Sequence, residues 1–374
     1  MSNHSRGNGM VNYLLAGGGT AGHVNPLLAV ADRIRDESPD ARILVVGTAE
    51  GLESRLVPER GYELLTIPRV PFPRRMNRTM VDFGAKFRRA IGLSYDIIER
   101  ESIDVVVGFG GYVSTPVYLA ARRAKRAIAI HEANAKPGLA NRLGARFTPY
   151  VGVAFAGTQL PHAKVVGMPL RAEIELLAQQ PELRAERRRE AIELFGFAED
   201  QPVALVTGGS LGARRINQTV RDAASELRAA GWQLLHLTGG SPEIDDPGLE
   251  GYRQLRYCDR MDLALAVADL AISRAGSSTV SELTALAIPA IYVPYPVGNG
   301  EQRFNIAGVV SAGGALQVAD AQFDTDWIRG QLLPVLARTD AGRQRLEQMR
   351  SATARLAVVD GTAQMVSLIS AALA

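Results

Sequence analysis

The sequence has a single cysteine, Cys258, among its 374 residues. One cysteine excludes an internal disulfide and any zinc or iron–sulfur site built on several thiolates, so a reducing, cytosolic compartment fits best. No apolar run reaches the roughly 18 to 20 residues that span a bilayer, and the first ten residues lack the apolar core of a signal peptide. We therefore expect a protein that is neither exported nor integral to a membrane.

The sequence also lacks a large excess of positive or negative charge, and its formal net charge at pH 7 is only +3. The segment at residues 69–89 is the exception, since it carries seven cations against one acid, Asp82. Its cations alternate with apolar side chains, as on surfaces that lie against anionic lipid, and the alternative is a solvated helix face with core phenylalanines. The cations are Arg69, Arg74, Arg75, Arg78, Lys86, Arg88 and Arg89, and the apolar residues are Val70, Phe72, Met76, Met80, Phe83 and Phe87.

The length and the hydrophobic pattern predict the fold class. A chain of 374 residues suggests roughly two domains. Apolar strand patterns alternate with helical spacings from residue 11 to residue 130, and the alternation begins again at residue 202. Such alternation is typical of parallel sheets with helices on both faces. The sequence therefore predicts two doubly wound α/β domains with a cleft between them, whose ligands bind beyond the carboxyl ends of the strands.

The first strand runs into a glycine corner at residues 17–22, before a helix that Pro26 can open. Glycines let the backbone approach a ligand closely, and a helix N-terminus favours anions. His23 stands at this corner, and a histidine can take up a proton near neutral pH. The corner lacks the dinucleotide-binding spacing, and no acid ends the second strand, although Glu50 is close to it. A ligand site and a tight turn capped by His23 both fit this stretch.

Two further polar clusters follow strands of the first half. A second glycine corner covers residues 108–114, and a strand at residues 127–130 leads to His131, Glu132 and Asn134. Both clusters fall at the carboxyl ends of strands, where the ligands of such sheets bind. His131 and Glu132 form no metal-ligand spacing with His23, so we predict no catalytic metal.

The second half repeats the arrangement of a strand, a glycine turn and a helix. Gly208, Gly209 and Ser210 suit a phosphate, but no P-loop lysine follows, so nucleotide hydrolysis is not expected. A structural turn is the alternative. Gln302 and Asn305 offer amide groups to sugar hydroxyls at a later helix start, or they act as ordinary polar caps.

A third segment of the second half combines hydroxyls with a carboxylate. Ser277, Ser278 and Thr279 follow a strand, and Glu282 stands within one to two turns of them. A carboxylate at this depth can accept hydrogen bonds from the vicinal hydroxyls of a ribose. The alternative is a surface acid favoured by the helix dipole.

Taken in order, these segments resemble the MurG family of bacterial transferases, which move N-acetylglucosamine from UDP-N-acetylglucosamine to undecaprenyl-pyrophosphoryl-N-acetylmuramoyl-pentapeptide. The likeness covers nearly the whole chain from residue 11 onward. One such motif is weak evidence, whereas six in order are specific. The motifs lie at residues 17–26, 110–114, 131–141, 167–171, 208–217 and 274–305.

The resemblance implies the GT-B architecture, in which two Rossmann-like domains face each other across a cleft. It places an acceptor-binding and membrane-facing domain at residues 10–170, to which a C-terminal helix at residues 350–374 returns. A UDP-sugar-binding domain is placed at residues 171–349. The implied chemistry is inverting and metal-independent, and it requires no cofactor.

The resemblance also assigns roles to single residues. His23 is the candidate base, with Glu132 as the runner-up or as an orienting partner. The acceptor pyrophosphate is expected at the glycine corners, at Gly18, Gly19, Gly110, Gly111 and Tyr112. The implied donor-binding residues are Thr20, Ala21, Gly22, Asn134, Arg171, Ser210, Cys258, Ser277, Ser278, Thr279, Glu282, Gln302 and Asn305.

The expected partners follow from this activity. They are UDP-N-acetylglucosamine, the lipid-linked muramoyl-pentapeptide acceptor, an anionic inner-leaflet surface and cell-wall synthesis proteins, with no nucleic acid. The chain is then expected peripherally on the cytoplasmic face of the bacterial membrane. Two other functions stay open: a UDP-sugar epimerase of the same architecture, which needs acid and base groups around the donor alone, and a non-catalytic UDP-sugar-binding module, in which the glycine corners are only turns.

Overall fold

A computed structural model describes residues 10–70, 79–209, 212–240, 244–297 and 300–374, and at 79–82 it describes the backbone only. The chain divides into two compact units. The first comprises Met1–Arg171 together with Asp360–Ala374, and the second comprises Ala172–Val359. Each unit is built around its own parallel sheet. The two α/β domains predicted from the sequence are therefore confirmed.

The first unit contains a seven-stranded parallel sheet with the order β3-β2-β1-β4-β5-β6-β7. The strand order reverses between β1 and β4. These two strands are adjacent and parallel, and Tyr13 of β1 pairs with Val105 of β4. In doubly wound sheets, ligands bind at this reversal. The strands are β1 Asn12–Ala16, β2 Arg42–Gly47, β3 Glu63–Thr66, β4 Val105–Gly108, β5 Ala127–Glu132, β6 Val151–Val153 and β7 Ala163–Val165.

Helices cover both faces of this sheet because alternate strand residues point to opposite sides. Leu14 belongs to the apolar core on one face, whereas Tyr13 and Leu15 belong to the core on the other. The helices are α1 Ala21–Glu37, α2 Glu53–Glu59, α3 Thr79–Arg100, α4 Ser114–Arg123, α5 Leu139–Gly144 and, at the C-terminus of the chain, α17 Gly361–Leu373.

The start of α1 differs from the expectation that Pro26 opens the helix. The helix begins at Ala21, and Pro26 lies inside it as its sixth residue. Proline has no N–H, so the carbonyl of Gly22, four residues earlier, receives no helical hydrogen bond from it. The helix continues because Val24 and Leu27 bury their side chains in the core on either side of Pro26. The earlier start places His23 within the first turn.

The last helix packs within the first unit. Met365, Leu368 and Ile369 of α17 are buried in the same apolar core as Val166. The returning segment begins at Asp360, rather than at 350 as expected from the sequence. The preceding helix stays with the second unit because its Thr353 hydroxyl donates to the carbonyl of Gly314, 3.1 Å away.

The second unit contains a six-stranded parallel sheet with the order β10-β9-β8-β11-β12-β13. The order reverses between β8 and β11, so this sheet has its own ligand-binding position. The strands are β8 Val203–Thr207, β9 Gln233–Leu237, β10 Tyr252–Leu255, β11 Leu270–Ser273, β12 Ala290–Tyr292 and β13 Ala315–Gln317.

The helices of the second unit flank this sheet. The helix expected after the turn at Gly208 and Gly209 is divided into two short helices at Ala223, which is fully buried. The helices are α6 Ala172–Gln179, α7 Pro181–Phe195, α8 Arg214–Asp222, α9 Ala224–Ala229, α10 Met261–Val267, α11 Ser277–Ala285, α12 Glu301–Asn305, α13 Ala307–Ser311, α14 Thr325–Trp327, α15 Leu333–Leu336 and α16 Asp340–Ala354, with a 3₁₀ turn at Asp320–Gln322 and a π-helical turn at Ile328–Leu332.

Across the residues described for both units, no helix combines the length and the hydrophobicity that a bilayer crossing requires.

Candidate active site

The first glycine corner holds His23 by its Nδ1 atom. This atom lies 3.1 Å from the carbonyl oxygen of Gly18 and 3.2 Å from the hydroxyl oxygen of Thr20. A carbonyl oxygen can only accept, so the hydrogen bond to Gly18 requires a hydrogen on Nδ1. In the neutral imidazole, Nε2 then keeps its lone pair and can accept a proton.

The second glycine corner lies against the first. A Cβ at Gly110 would stand 3.3 Å from Nε2 of His23, and one at Gly111 would stand 2.7 Å from the carbonyl oxygen of Gly18. Both glycines have positive φ values, 93° and 83°. The corners after β1 and β4 therefore meet at the reversal of the strand order, and they meet around His23. A side chain at either glycine would close this position.

Glu132 is fully engaged by its own loop. Its Oε1 accepts from the backbone N–H of Asn134 at 2.9 Å, and its Oε2 accepts from Gly138 N and Asn141 Nδ2, each at 3.0 Å. The residue is 3% exposed. Three donors hold the carboxylate as an acceptor and fix the loop that carries Asn134. This geometry suits a positioning role better than that of a base.

Two neighbours extend this hydrogen-bonded cluster. The hydroxyl of the buried Tyr118 donates to Oδ1 of Asn141 at 2.7 Å. His131 is fully buried, and its Nε2 lies 2.9 Å from the carbonyl oxygen of Gly167. Burial lowers the pKa of His131 to about 4, so its imidazole is neutral at physiological pH. His131 therefore supports the fold around the corner and does not itself carry charge there.

Glu53 also belongs to the first corner, and the sequence had pointed to Glu50 instead. Glu53 is 0% exposed and accepts hydrogen bonds from the backbone N–H of Gly19 at 2.8 Å and of Thr48 at 2.9 Å. The sequence signal is the pair of glycines, Gly47 and Gly51, that flank the end of β2. A Cβ at either one would overlap the Glu53 side chain.

Tyr112 lies at the rim of the second corner. It is 41% exposed, and the guanidinium carbon of Arg69 lies 5.7 Å from the centre of its ring. A cation over an aromatic face is an attractive arrangement. It places one positive charge beside the corner where the acceptor pyrophosphate is expected.

The second unit places a glycine turn at its own strand-order reversal. Gly209 and Gly212 have φ values of 81° and 74°, and the hydroxyl oxygen of Thr207 accepts from Gly209 N at 3.2 Å. Gly239 from the neighbouring strand end packs against this turn so closely that a Cβ there would overlap Gly212. Ser210 lies outside the described residues, so its role as a donor-binding residue stays a prediction.

The hydroxyl cluster and Glu282 share one helix. Ser277, Ser278 and Thr279 form the first turn of α11, and Glu282 follows three residues after Thr279 and four after Ser278. Residues at these spacings lie on one side of a helix. The Oγ atom of Ser278 is buried and has no hydrogen-bond partner within the described parts of the chain. Helix α11 follows the carboxyl end of β11, where the strand order of the second sheet reverses.

Gln302 and Asn305 both hold Ala275, which precedes α11. Oε1 of Gln302 accepts from Ala275 N at 3.1 Å and from Tyr295 N at 2.9 Å. Nδ2 of Asn305 donates to the carbonyl oxygen of Ala275 at 3.2 Å. With its oxygen occupied, Gln302 keeps its amide NH₂ as a hydrogen-bond donor, and the binding of sugar hydroxyls by this group stays a prediction. Asn305 is only 3% exposed, so the visible contribution of its side chain is to the shape of the turn.

The remaining predicted donor-binding residues lie in both units. Thr20 caps α1, and Ala21 and Gly22 are its first two residues, where helical N–H groups lack intrahelical partners. Arg171 is the last residue of the first unit before α6. Cys258 is 9% exposed, and burial raises the pKa of its thiol. Within the described ranges, no group of three or more His, Cys, Asp or Glu side chains could hold a metal ion.

Comparison with known proteins extends over both halves of the chain. The model of the glycosyltransferase family 28 N-terminal domain matches residues 13–153, and that of the family 28 C-terminal domain matches residues 203–365. The UDP-N-acetylglucosamine–N-acetylmuramyl-(pentapeptide) pyrophosphoryl-undecaprenol N-acetylglucosamine transferase of Leifsonia xyli subsp. xyli is 59% identical over 360 residues, which are 96% of this chain and 98% of that protein.

Solved structures show the same fold. The crystal structure of MurG from Acinetobacter baumannii matches with a TM-score of 0.78 and 26% identity, covering 97% of this chain and 100% of that one. A UDP-GlcNAc 2-epimerase from Neisseria meningitidis, bound to UDP-GlcNAc, matches with a TM-score of 0.64. Its identity is 12%, and its coverage is 97% of this chain and 100% of that one. The epimerase shares the fold alone.

Two parallel doubly wound sheets, each with glycine turns at its strand-order reversal and each matched by a glycosyltransferase domain, define a glycosyltransferase of the GT-B fold class. Identities of 45% to 55% over 96–98% of the chain extend to several further relatives that carry the same transferase name. The chain belongs to the MurG family within glycosyltransferase family 28.

Proposed function

We propose that this chain transfers N-acetylglucosamine from UDP-N-acetylglucosamine to the C4 hydroxyl of undecaprenyl-pyrophosphoryl-N-acetylmuramoyl-pentapeptide, with inversion at the anomeric carbon. This reaction converts lipid I to lipid II in peptidoglycan synthesis. The observation that carries the proposal is the full-length identity to transferases of this name, together with the corner that holds His23 with Nε2 free. The epimerase alternative is supported by the fold alone.

His23 serves as the base in this proposal. Its Nε2 takes the proton of the acceptor C4 hydroxyl while that oxygen attacks the anomeric carbon of the donor. The bond from the anomeric carbon to the diphosphate oxygen breaks, and its electron pair leaves with UDP. Gly18 holds Nδ1–H throughout, so the imidazole is presented in the productive tautomer.

The acceptor pyrophosphate binds at the N-terminus of α1 and at Gly110 and Gly111. Helix N-termini stabilise anions through free N–H groups and the helix dipole. The N–H of Gly19 is already donated to Glu53, so Gly19 contributes to the acceptor site through its lack of a side chain, while Thr20, Ala21 and Gly22 stay assigned to the donor. The glycines of the second corner keep the approach to this helix end open.

The donor binds in the second unit. The first turn of α11 and the turn at Gly208 and Gly209 carry the diphosphate, and Glu282 accepts from the ribose hydroxyls. Charge that develops on the leaving UDP is dispersed over N–H and hydroxyl donors, as an inverting transferase without a metal requires. The Gln302 amide donates to the sugar hydroxyls.

We also propose that the chain acts peripherally on the cytoplasmic leaflet, beside cell-wall synthesis proteins. Exposed cations of α3, which are Lys86, Arg88 and Arg89, support contact with anionic lipid. Phe83 and Phe87 stack at 5.4 Å and pack against the core of the first unit, so they contribute less to such a surface than expected. Arg74, Arg75, Arg78, Phe72 and Met76 lie outside the described residues, and the side chain of Met80 is likewise not described.

Vesicle flotation tests the membrane proposal. The wild-type chain is expected to float with vesicles of phosphatidylglycerol and not with phosphatidylcholine. Reversing the charges of Arg88 and Arg89 to glutamate should reduce flotation, whereas the matched reversal of Arg33 on α1 and Arg55 on α2 should not. Equal flotation of the two double variants would contradict a role for α3.

Radiolabelled UDP-N-acetylglucosamine, supplied with and without a short-chain lipid-linked acceptor, tests the transfer itself. The proposal predicts labelled lipid product only when the acceptor is present. A new UDP-sugar that forms without acceptor would favour the epimerase, and binding without either product would favour a non-catalytic module.

A further inference from the structure

A buried carboxylate occupies the space beneath the first glycine corner. Glu53, the first residue of α2, is 0% exposed. Three glycines leave room for it, because a Cβ at Gly18, Gly47 or Gly51 would overlap its side chain. An acid in the first turn of a short surface helix ordinarily faces solvent. The inward orientation of Glu53 therefore requires its own explanation.

The carboxylate is ionised although it is buried. Burial alone would raise its pKa, but the N–H groups of Gly19 and Thr48 and the Thr48 hydroxyl donate to it, and together they lower the pKa of Glu53. The donors lie at 2.8 Å, 2.9 Å and 2.9 Å. A buried negative charge is thus held by the end of β2 and by the glycine corner.

One peptide group connects this charge to His23. The N–H of Gly19, which donates to Glu53, and the C=O of Gly18, which lies 3.1 Å from Nδ1 of His23, belong to the same planar peptide bond. Hydrogen bonds in series polarise one another. A carboxylate on the N–H side makes the carbonyl oxygen a stronger acceptor for Nδ1–H.

We propose that Glu53 is a positioning residue for His23, acting through the Gly18–Gly19 peptide. It fixes the peptide so that Gly18 O receives Nδ1–H, which selects the tautomer with a free Nε2. The arrangement performs the task of a carboxylate bonded directly to a catalytic histidine, with a peptide group inserted between them. This inference rests on the proposed function in taking His23 as the base.

The same geometry limits what the first corner can bind. In a dinucleotide-binding domain, the acid near the end of the second strand accepts from a ribose, and the glycine-turn N–H groups meet a pyrophosphate. Here Glu53 fills the space between Gly18 and Gly47 and takes the Gly19 N–H. The first unit therefore has no room for a dinucleotide at this corner, and the corner instead positions His23.

The tautomer of His23 gives the direct test. Glu53→Gln keeps the size of the side chain but turns one acceptor into a donor among three donors. In protein labelled with ¹⁵N-histidine, long-range ¹H–¹⁵N spectra distinguish protonated from free ring nitrogens, and a His23→Gln sample assigns the His23 signals. The wild type should show Nδ1 protonated and Nε2 free, and Glu53→Gln should move both nitrogens towards the average of the two tautomers.

The exposed Glu59 of the same helix provides the control, because Glu59→Gln should leave both His23 signals in place. An unchanged His23 tautomer in a folded Glu53→Gln chain would overturn the proposal. This measurement requires no substrate turnover, so its result is independent of whether the chain catalyses the transfer reaction.

Kinetics supply the second test. Glu53→Gln should lower kcat by about 10- to 100-fold while the KM for UDP-N-acetylglucosamine stays within about threefold. In a His23→Ala background the same substitution should cost less than about twofold, because residues that act as a unit are not additive. Equal losses in both backgrounds would show that Glu53 acts on the fold alone.

A further variant covers the case in which Glu53→Gln does not fold. Gly47→Ala leaves every charge in place, but its Cβ displaces the Glu53 stem, and Gly47 has no positive φ that alanine would strain. It should reproduce the shift of the His23 tautomer in smaller measure. A Gly47→Ala chain with the wild-type tautomer and wild-type kcat would count against the relay.

Discussion

Nδ1 of His23 and the carbonyl oxygen of Gly18 lie 3.1 Å apart. This contact joins the first turn of α1 to the glycine corner that precedes it, and it decides which ring nitrogen is free. Gly110 faces that nitrogen with no side chain between them. The contact therefore sets the tautomer of the proposed base, and the missing side chain at Gly110 leaves Nε2 uncovered on that side.

Substituting the base should affect chemistry and spare donor binding. His23→Ala is expected to lower kcat by about 100-fold or more, because general-base catalysis is lost. Affinity for UDP-N-acetylglucosamine should change little, since the groups proposed to bind its diphosphate and ribose lie in the second unit. Steady-state kinetics and calorimetric titration measure the two quantities, and the exposed His162→Ala serves as the control. Wild-type turnover by His23→Ala would remove His23 from this role.

Glu132 should behave as a support for its loop. Glu132→Gln leaves at least one buried N–H donor unpaired, which costs on the order of 1 to 3 kcal/mol of unfolding free energy. Both tryptophans, Trp232 and Trp327, lie in the second unit, so urea unfolding followed by tryptophan fluorescence should not change. Unfolding followed by far-ultraviolet circular dichroism should shift to lower urea.

The opposite result for Glu132→Gln is equally informative. Unchanged stability by both probes, combined with a loss of kcat as large as that of His23→Ala, would identify Glu132 as the base. Substituting the exposed Glu59, at the end of α2 in the same unit, controls for the loss of one negative charge.

The amide of Gln302 can be tested with its oxygen kept in place. In Gln302→Glu an oxygen still accepts from Ala275 N and Tyr295 N, but the NH₂ donor is lost. The dissociation constant for UDP-N-acetylglucosamine should rise by about tenfold, because the lost hydrogen bond contributes about one to two kcal/mol to binding. Binding of UDP, measured by the same calorimetric titration, should weaken much less. Equal losses for UDP and the UDP-sugar would indicate general charge repulsion instead of sugar recognition.

The sequence anticipated what depends on local pattern. The alternation of strand and helix patterns predicted both parallel sheets, and the glycine corners lie at the carboxyl ends of β1, β4 and β8 as expected. The predicted start of α1 was wrong. Proline is favoured in the first turn of a helix, which suggested a start at Pro26, whereas the helix continues past Pro26 because of packing against distant parts of the chain. Glu53 was not identified from the sequence as a site residue, because an acidic residue at the start of a short helix is ordinarily exposed to solvent. Its inward orientation becomes visible only from the space left by Gly18 after β1 and by Gly47 and Gly51 around the end of β2.

Buried His236 makes the second unit sensitive to acid. Burial lowers the pKa of His236 to about 4, whereas an unfolded histidine titrates near 6.5. Between these values the unfolded chain binds more protons, so stability is full above about pH 6.5 and is lost as the pH falls towards 4, by up to about 3 kcal/mol. Urea unfolding at pH 7 and pH 5, followed by fluorescence of Trp232 and Trp327, measures this loss.

Removing the titrating ring should flatten that dependence. His236→Phe is expected to be less stable at pH 7, because Asn217 and Tyr252 lose their hydrogen-bond partner, but its stability should change less between pH 7 and pH 5. His162→Asn should keep the wild-type dependence. An unaltered slope in His236→Phe would assign the acid sensitivity to other groups.

The structure of the product tests the central claim most directly. Wild-type protein, treated with a chelator and supplied with UDP-N-acetylglucosamine and a short-chain lipid-linked muramoyl-pentapeptide, should release one UDP for each disaccharide formed. NMR of the product should show a β-linkage from N-acetylglucosamine to the C4 oxygen of the muramoyl sugar. An α-linkage, attachment at another oxygen, or conversion of the donor without the acceptor would contradict the account.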